Sequence, residues 1–449
     1  MISEYKGYKE TEIGYLKKIP KNWKITRLKS VTNSLTGYPF KSNEYSDKGI
    51  KLARGINVKE GVFDWKNTVF WNKYEPYLKK YLLFEGDILI QMDGSKVGKN
   101  YCKVRHEDLP ILLLQRVTRL RTRGNLLSNF LFYTIASKNF LYWITISKTD
   151  PMVPHIAPND IDNYVIPLPS SKIEQTQIVN YLDQKTQAID EKVSLLQQKI
   201  EVYKELRKSL INQAIAKGLN PNVRFKQSNI DWISNIPEHW ETIRMKDVGI
   251  LYSGLSGKSG KDFEQENNGK SKTYLPFTNV ASNTYIDKNA LGLVIVEENE
   301  SQNKIRKNDL FFLMSSEGYE DIGKSALLIQ DLDSETYLNS FCKGFRITSK
   351  KIVPKYLNWL LLSSAYREKM LVRGKGFTRI NLKMDKINDF EICIPNSIKE
   401  QEEIANYLDV KTQQIDAIVK NIETQIATFT ELRKTLINDV VIGKIKVTA

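Results

Sequence analysis

The stretch that decides the fold is residues 174–208, EQTQIVNYLDQKTQAIDEKVSLLQQKIEVYKELRK, which returns 226 positions later as residues 400–434, EQEEIANYLDVKTQQIDAIVKNIETQIATFTELRK. Both copies carry Glu-Gln, Tyr-Leu-Asp, Ile-Asp and Glu-Leu-Arg-Lys in the same order and at the same spacing. Apolar residues recur in each copy at steps of mostly three and four, which is typical of the buried seam of a coiled coil. The sequence therefore predicts two long helices of one kind.

Each predicted helix carries an apolar stripe along most of its length. In the first helix the stripe comprises Ile178, Leu182, Ile189, Val193, Leu196, Ile200, Tyr203, Leu206 and Leu210. In the second helix it comprises Ile404, Leu408, Ile415, Val419, Ile422, Ile426, Phe429, Leu432 and Leu436. A helix with a bare apolar face is not stable alone in water. We expect the two helices to pack on each other, antiparallel, and the alternative is that each packs only on its own globule.

The ends of the first helix are marked by local signals. Ser171 and Glu174 have the spacing of a capping box, so the helix is expected to begin near Ser170. Gly218, followed by Asn220 and Pro221, is expected to end it.

A second repeat precedes each helix. Ile19-Pro20-x-x-Trp23 returns as Ile236-Pro237-x-x-Trp240, a shift of 217 positions. The duplicated unit is therefore a whole globular domain followed by a long helix. We predict an α/β (α+β) fold with two globular domains with mainly β cores, separated by two long antiparallel helices forming a coiled coil. The expected boundaries are 1–169 (core about 20–165), 170–218, 219–397 (core about 237–394) and 398–449.

Composition restricts the function classes. The formal net charge is +15 at pH 7 and the isoelectric point is about 9.3. Such an excess favours a polyanionic partner, nucleic acid before an anionic membrane, and the alternative is a lysine-rich surface with no partner. The sequence contains no run of eighteen apolar residues, so no membrane span is predicted. The three separated cysteines indicate a reducing compartment, so we expect a cytoplasmic location and no disulfide framework.

Catalytic signatures are missing from the sequence. The repeat aligns His239 with Asn22 and His155 with Asn381, so no histidine is shared by the two copies. No Cys-x-x-Cys or His-x-x-x-His spacing suggests a metal site. The segment Gly254–Lys261 resembles a phosphate-binding loop but fails the P-loop spacing. We therefore expect no metal and no cofactor in this chain.

Loops rich in turn residues and basic side chains are the candidates for nucleic-acid contact, because binding residues concentrate on loops of a rigid globule. Arginine and asparagine can each form paired hydrogen bonds with purine edges, whereas most other contacts go to phosphates. The candidates in the first globule are Lys41, Arg54, Asn57, Lys96, Lys99, Arg116, Arg119 and Arg121. Those in the second are Lys258, Lys261, Asn279, Lys324, Arg373, Lys375 and Arg379. Arg54 has no basic counterpart in the second globule, as expected if the two globules read different sequences.

The order and duplication of these motifs resemble the specificity subunits of type I restriction-modification systems. The resemblance spans essentially the whole chain and rests on the Ile-Pro-x-x-Trp openings, the strand entries at Gly86–Leu89 and Asn308–Phe311, the proline-bearing exits, and the two helices. The one departure is Asn308, which replaces a strand-entry glycine and puts a local turn in doubt.

The resemblance implies two target recognition domains that each read one half of a split sequence in double-stranded DNA, with the helices setting the gap. The helical seam would be formed by Ile189, Leu196, Ile200, Leu210, Ile415, Ile422, Ile426 and Leu436. It also implies that the chain does no chemistry and docks two modification subunits, which use S-adenosylmethionine, and restriction subunits, which use ATP and Mg. The alternatives from the residues are a self-contained DNA-modifying enzyme and a coiled-coil scaffold that binds only proteins.

Overall fold

The computed structural model describes residues 2–148, 154–263, 271–372 and 380–447. The chain forms two compact units, the first assembled from the two ends of the sequence and the second from its middle. Unit 1 combines Met1–Gln197 with Ile422–Ala449, and unit 2 is Gln198–Asn421. Each long helix therefore contributes one half to each unit. Within the described residues, no helix is both long and apolar enough to cross a membrane.

The globular part of unit 1 is built mainly of short strands. They are β1 (Ile2–Ser3), β2 (Tyr8–Ile13), β3 (Leu16–Pro20), β4 (Lys24–Arg27), β5 (Thr32–Thr36), β6 (Ile50–Ala53), β7 (Phe70–Trp71), β8 (Ile88–Gln91), β9 (Tyr101–Lys103), β10 (Ile111–Leu113), β11 (Val117–Thr122) and β12 (Val165–Leu168). Its short helices are α1 (Leu28–Val31), α2 (Ser128–Ile135), α3 (Lys138–Ser147) and α4 (Pro158–Asp162), followed by the long helix α5 (Lys172–Lys217).

Unit 2 repeats this architecture. Its strands are β13 (Phe225–Ile230), β14 (Ile233–Pro237), β15 (Trp240–Arg244), β16 (Gly249–Ser253), β17 (Ser271–Leu275), β18 (Gly292–Ile295), β19 (Asp309–Leu313), β20 (Ser315–Ser316), β21 (Ser325–Leu327), β22 (Thr336–Leu338), β23 (Cys342–Ile347), β24 (Ile380–Asn381) and β25 (Glu391–Pro395). Its helices are α6 (Phe277–Ser282), α7 (Pro354–Leu362), α8 (Ser364–Val372), α9 (Met384–Asn388) and the long α10 (Ile398–Val441), after which β26 (Lys446–Val447) pairs with β1 in unit 1.

The sheets of the two units have the same topology. A four-stranded antiparallel sheet has the order β5-β11-β8-β9 in unit 1 and β16-β23-β19-β21 in unit 2. A three-stranded sheet has the order β10-β6-β7 and β22-β17-β18, with one parallel pair in each. The strand predicted after Gly86 is β8, and its counterpart is β19, which is buried along its whole length.

The turn placed in doubt at Asn308 is retained. Gly86 and Asn308 both adopt left-handed backbone geometry, with φ of 85° and 69°. Asparagine tolerates this conformation better than other residues with a side chain, so the substitution preserves the strand entry.

The repeated tryptophan fastens each long helix to its globule. Trp23 is fully buried and its Nε1 donates to Glu174 Oε1 at 3.0 Å; Trp240 Nε1 donates to Glu400 Oε1 at 3.1 Å. Only the serine half of the predicted capping box forms: Ser171 Oγ accepts from Ile173 N at 3.1 Å, whereas Glu174 is bound to Trp23 and Tyr5. We call this arrangement the joint of each unit.

A fully buried glutamine completes each joint. Gln175 Oε1 accepts from Leu127 N at 2.9 Å, and its Nε2 donates to the carbonyl oxygens of Asn125 and Pro169. Gln401 makes the same bonds in unit 2, accepting from Val353 N at 2.8 Å and donating to the carbonyl oxygens of Lys351 and Pro395, both at 2.9 Å. These residues explain why Glu-Gln recurs in the sequence.

The long helices pack antiparallel within each unit, as predicted. In unit 1, Ile178 and Leu182 of α5 share a core with Ile437 and Val440 of α10. In unit 2, Ile211 and Ala214 of α5 share a core with Ile404 and Leu408 of α10. The helices also pack on the globules, since these cores contain residues of the sheets and of α2 or α7.

Most of the predicted seam is buried. Leu196, Ile200, Ile415 and Ile422 are each at most 7% exposed, and Ile189, Leu210, Ile426 and Leu436 are half-buried.

Leu206 and Leu432, which belong to the predicted apolar stripes, are 44% and 50% exposed, so the stripes are wrong at these two positions. The neighbouring arginines take their place, with Arg207 Nε 3.2 Å from Asp416 Oδ1 and Arg433 Nε 2.9 Å from Asp190 Oδ1.

Replacing Gln401 by alanine is expected to lower the free energy of unfolding by about 3 kcal/mol, because Val353 N–H and two carbonyl groups lose a buried partner. Glu402→Ala, on the exposed side of the same helical turn, is the matched control and should change it by less than about 0.5 kcal/mol. Urea unfolding of both variants measures the difference, and equal effects would contradict the role of the joint.

Ile422→Ala is expected to cost about 3 kcal/mol, since Ile422 is 4% exposed and alanine leaves a cavity in the seam. Ile418, one turn earlier on α10, is 38% exposed, and Ile418→Ala should cost less than about 1 kcal/mol. Thermal unfolding monitored by circular dichroism compares the two; a larger loss for Ile418→Ala would show that the seam lies on another face.

Candidate nucleic-acid interface

A tight turn at the end of the larger sheet organises one surface of unit 1. This turn joins β10 to β11 and contains Gln115 and Arg116. Gln115 N donates to Tyr38 O at 3.0 Å, and Met92 N donates to Arg116 O at 3.0 Å. The turn thereby holds the loop after β5 on one side and the loop after β8 on the other.

A glycine allows the first of these loops to approach the turn. A Cβ atom at Gly37 would lie 2.1 Å from the carbonyl oxygen of Leu114, and one at Gly254 would lie 2.2 Å from that of Asn339. Any side chain at either position would therefore displace the turn. This close approach explains why Gly37 and Gly254 recur at the start of the two candidate loops.

A buried asparagine fixes the loop after β6. Asn57 is 1% exposed, its Nδ2 donates to Asp64 O at 2.9 Å, and its Oδ1 accepts from Arg54 N at 3.3 Å. Gly55 in this loop faces Gln91, which accepts a hydrogen bond from Asn100 Nδ2 at 2.7 Å. The loops after β6 and β8 therefore meet beside the turn.

Charged side chains cluster on this surface. Arg116 adopts a left-handed φ of 69°, its side chain is 73% exposed, and its Nε lies 3.3 Å from Asp93 Oδ2. The other carboxylate oxygen of Asp93 is in hydrogen-bond contact with His155 Nδ1. Lys96 and Lys99 are exposed in the same loop as Asp93.

Five of the predicted residues therefore lie in the turn or on the loops that meet at it. They are Lys41, Arg54, Lys96, Lys99 and Arg116. Lys41 is 77% exposed, with Glu44 3.9 Å away. Arg54 is half-buried and donates to the backbone of Asn67 as well as to Asn57. We define the turn and these loops as the loop surface of unit 1.

Arg119 is buried, which corrects its assignment as a candidate, whereas the Arg121 side chain is 33% exposed and paired with Asp87. The Arg119 residue is 4% exposed and donates to Asn33 Oδ1 at 2.9 Å, and burial lowers the pKa of its guanidinium. Arg121 forms two hydrogen bonds of 2.7 Å with the buried Asp87. Their donors serve the fold because a buried carboxylate needs a paired charge.

Unit 2 has the same loop surface in its own globule. Leu255 N donates to Leu338 O at 2.7 Å, and Met314 N donates to Phe341 O at 2.9 Å, so the turn between β22 and β23 again holds two loops. Asn279 is 4% exposed and its Nδ2 donates to the carbonyl oxygens of Asp287 and Ala290. Asn57 and Asn279 are therefore loop-fixing residues, and neither offers a free amide to a base edge.

The predicted lysines of unit 2 are mostly paired. The Lys258 side chain is 6% exposed and bound to Glu300, whereas Lys324 lies 2.7 Å from Asp321 and Lys261 is exposed. The predicted residues Arg373, Lys375 and Arg379 lie outside the described residues.

The Gly254–Lys261 loop is closed by protein acceptors at three backbone amides. Leu255 N, Ser256 N and Ser259 N donate to Leu338 O, Gln302 Oε1 and Asp262 Oδ2. The hydrogen bond from Ser259 N holds the pKa of Asp262 below its usual value. These three amides are therefore already satisfied by acceptors of the protein.

The structure describes neither a cluster of metal ligands nor an exposed cysteine in the residues that it covers. There, no three His, Cys, Asp or Glu side chains converge as metal ligands. Cys102, Cys342 and Cys393 are buried, and burial raises the pKa of each thiol, that of Cys342 to about 12.

Sequence reasoning missed two features of the loop surface. One is the Asp93–His155 pair, because the repeat comparison set His155 aside as unmatched. The other is Phe341, which follows the turn in unit 2 at the position equivalent to Arg116, immediately before β23 and β11. Aligning the two copies at this turn would have shown Phe341 opposite Arg116.

Known proteins share this architecture. The sequence profile of the family described as "Type I restriction modification DNA specificity domain" matches residues 20–202 and again 237–428. The type I restriction enzyme MjaVIII specificity subunit of Methanocaldococcus jannaschii is 21% identical, with 96% of this chain and 94% of that protein covered. The EcoAI specificity subunit of Escherichia coli is 32% identical over 205 residues, which are 44% of this chain and 34% of that subunit.

Solved structures show the same fold. One chain, from a study of complex assembly and conformational transition of the type I R-M system, superposes with a TM-score of 0.72 at 16% identity, covering 94% of this chain and 98% of that one. The HsdS subunit from Thermoanaerobacter tengcongensis superposes with a TM-score of 0.54 at 15% identity, covering 95% and 98%. Because the family profile matches both copies and most of the sequence, the chain belongs to the type I restriction-modification DNA specificity domain family.

Proposed function

We propose that each unit binds one half of a bipartite sequence in double-stranded DNA through its loop surface. The observation that carries this proposal is a repeated framework with unlike exposed side chains. Glycine and asparagine hold the equivalent loops in both units, whereas Arg116 in one unit is replaced by Phe341 in the other. A protein that reads two different half-sites needs a constant scaffold and variable contacts.

The lysines of the loop surface suit the DNA backbone. Lys41, Lys96 and Lys99 are exposed cations around the turn of unit 1. Phosphate contacts of this kind set the register on the duplex without reading sequence. Arg116 has the donors to pair with O6 and N7 of guanine, and Asp93 orients its side chain.

The chain itself acts without catalysis in this proposal. Methylation by two modification subunits using S-adenosylmethionine, and cleavage by restriction subunits using ATP and Mg, would take place in its partners. The paired halves of α5 and α10 set the separation of the half-sites and supply the docking surface for the modification subunits.

Selection of bound duplexes from random DNA tests the bipartite reading. The full chain, alone and with co-expressed modification subunits, is expected to enrich two short motifs with a fixed gap. Affinity should fall steeply with salt. A plot of the logarithm of the binding constant against the logarithm of the salt concentration should have a slope of roughly −0.9 for each phosphate contact. Replacing residues 20–165 by those of a relative should change one motif only. A change in both motifs would contradict the proposal that each unit binds its own half-site.

Inserting one heptad after Val193 and one after Val419 tests the spacer. The insertions preserve the seam, lengthen the helix pair by about 10 Å at 1.5 Å per residue, and should widen the selected gap by about three base pairs at 3.4 Å each. A heptad inserted in α5 alone, which shifts the helices relative to each other, is the control. An unchanged gap in the double insertion would exclude a spacer role.

A further inference from the structure

Two phenylalanines are exposed on the loop surface of unit 2. Phe277 is 41% exposed and Phe341 is 37% exposed, and their rings meet edge to face with centroids 6.0 Å apart and planes at 85°. Large aromatic side chains bury more surface than others and normally lie in a core or an interface. Together the two rings form a small apolar patch on the loop surface of unit 2.

Both rings stand on fixed backbone. Phe341 follows the central turn, where its N–H donates to Asn339 Oδ1 at 2.9 Å and its carbonyl accepts from Met314 N at 2.9 Å. Phe277 begins α6, which the buried Asn279 ties to the loop ending at Ala290. The pair is therefore presented by a rigid support, as base-reading side chains must be.

The equivalent positions in unit 1 carry different chemistry. Gly55 replaces Phe277 two residues before the repeated asparagine, and Arg116 replaces Phe341 before the repeated strand. Unit 1 thus offers a guanidinium at the centre of its loop surface, whereas unit 2 offers two rings. The rings have no conventional hydrogen-bonding atoms, so an apolar group is the feature of a base edge that suits them.

The major groove presents one such group, the C5-methyl of thymine. We propose that Phe277 and Phe341 are specificity-determining residues that contact thymine methyl groups in the half-site bound by unit 2. This inference rests on the function proposed above. Double-stranded DNA is the occupant favoured by the net charge of +15 and by the equivalence of this surface with the lysine-bearing loop surface of unit 1.

The experiment uses the full chain and the duplex that it selects. Each thymine is replaced in turn by deoxyuridine, which removes only the methyl group, and affinities are measured for the wild type, Phe341→Ala, Phe277→Ala and Ile250→Ala. Ile250 is 64% exposed on β16 and serves as an apolar surface control. Thermal unfolding checks that each variant is folded.

Deoxyuridine in one half-site is expected to weaken wild-type binding about four-fold for each contacted methyl group, the equivalent of about 0.8 kcal/mol. In Phe341→Ala and in Phe277→Ala, deoxyuridine at the thymine that the missing ring contacts should cause no further loss of affinity. The base change and the side-chain change remove the same interaction. Ile250→Ala should respond as the wild type does.

Three results would overturn the inference while leaving the proposed function intact. The first is sequence-specific binding whose affinity is unchanged by deoxyuridine at every position of both half-sites. The second is a half-site for unit 2 that contains no A·T pairs. The third is a loss of affinity with deoxyuridine that is equal in the wild type and in both phenylalanine variants. Reduced DNA bending by Phe341→Ala with no deoxyuridine effect would identify a kinking wedge instead. Failure to select any sequence, with or without modification subunits, would overturn the proposed function and this inference with it.

Discussion

One carboxylate bonded to one buried indole fixes each long helix to its globule. Trp23 donates to Glu174, and Trp240 donates to Glu400. The glutamine that follows each glutamate is fully buried and satisfies one amide and two carbonyl groups of the globule. Unpaired, these groups would each cost about 1–3 kcal/mol. The joint therefore fixes the direction and the rotation of the helix, and every side chain further along it depends on that rotation.

The rotation decides which residues reach the seam. The spacing of apolar residues predicts a stripe that includes Leu206 and Leu432. The joint instead sets a rotation of the helix in which Arg207 and Arg433 point inward. Each arginine lies beside an aspartate of the other helix within its own unit. The two ion pairs are equivalent under the repeat, so the recurring Ile-Asp and Glu-Leu-Arg-Lys motifs serve helix pairing. A polar pair in an apolar seam also restricts the register in which the helices can pack.

The loop surface separates constant parts from variable ones. Gly37 and Gly254 permit the close approach of a loop to the central turn, and the buried asparagines fix a second loop. These requirements are geometric and are the same in both units. The side chains at the turn are partly or largely exposed, and they differ between the units, Arg116 in one and Phe341 in the other. The proposed difference in DNA half-sites follows from this separation of scaffold and contact.

The sequence by itself determined the duplicated architecture, the two antiparallel helices and most of their seam, because repeats and apolar periods are local patterns along the chain. It also identified the loops of the candidate surface. Only the tertiary structure decided which of the predicted charges are exposed: on β11, Arg121 is bound to a buried aspartate and Arg119 lies in the interior, whereas Arg116 in the turn before it projects into solvent. The physical reason is that the position of a charged side chain depends on the partner that satisfies it, and that partner lies far away in the sequence.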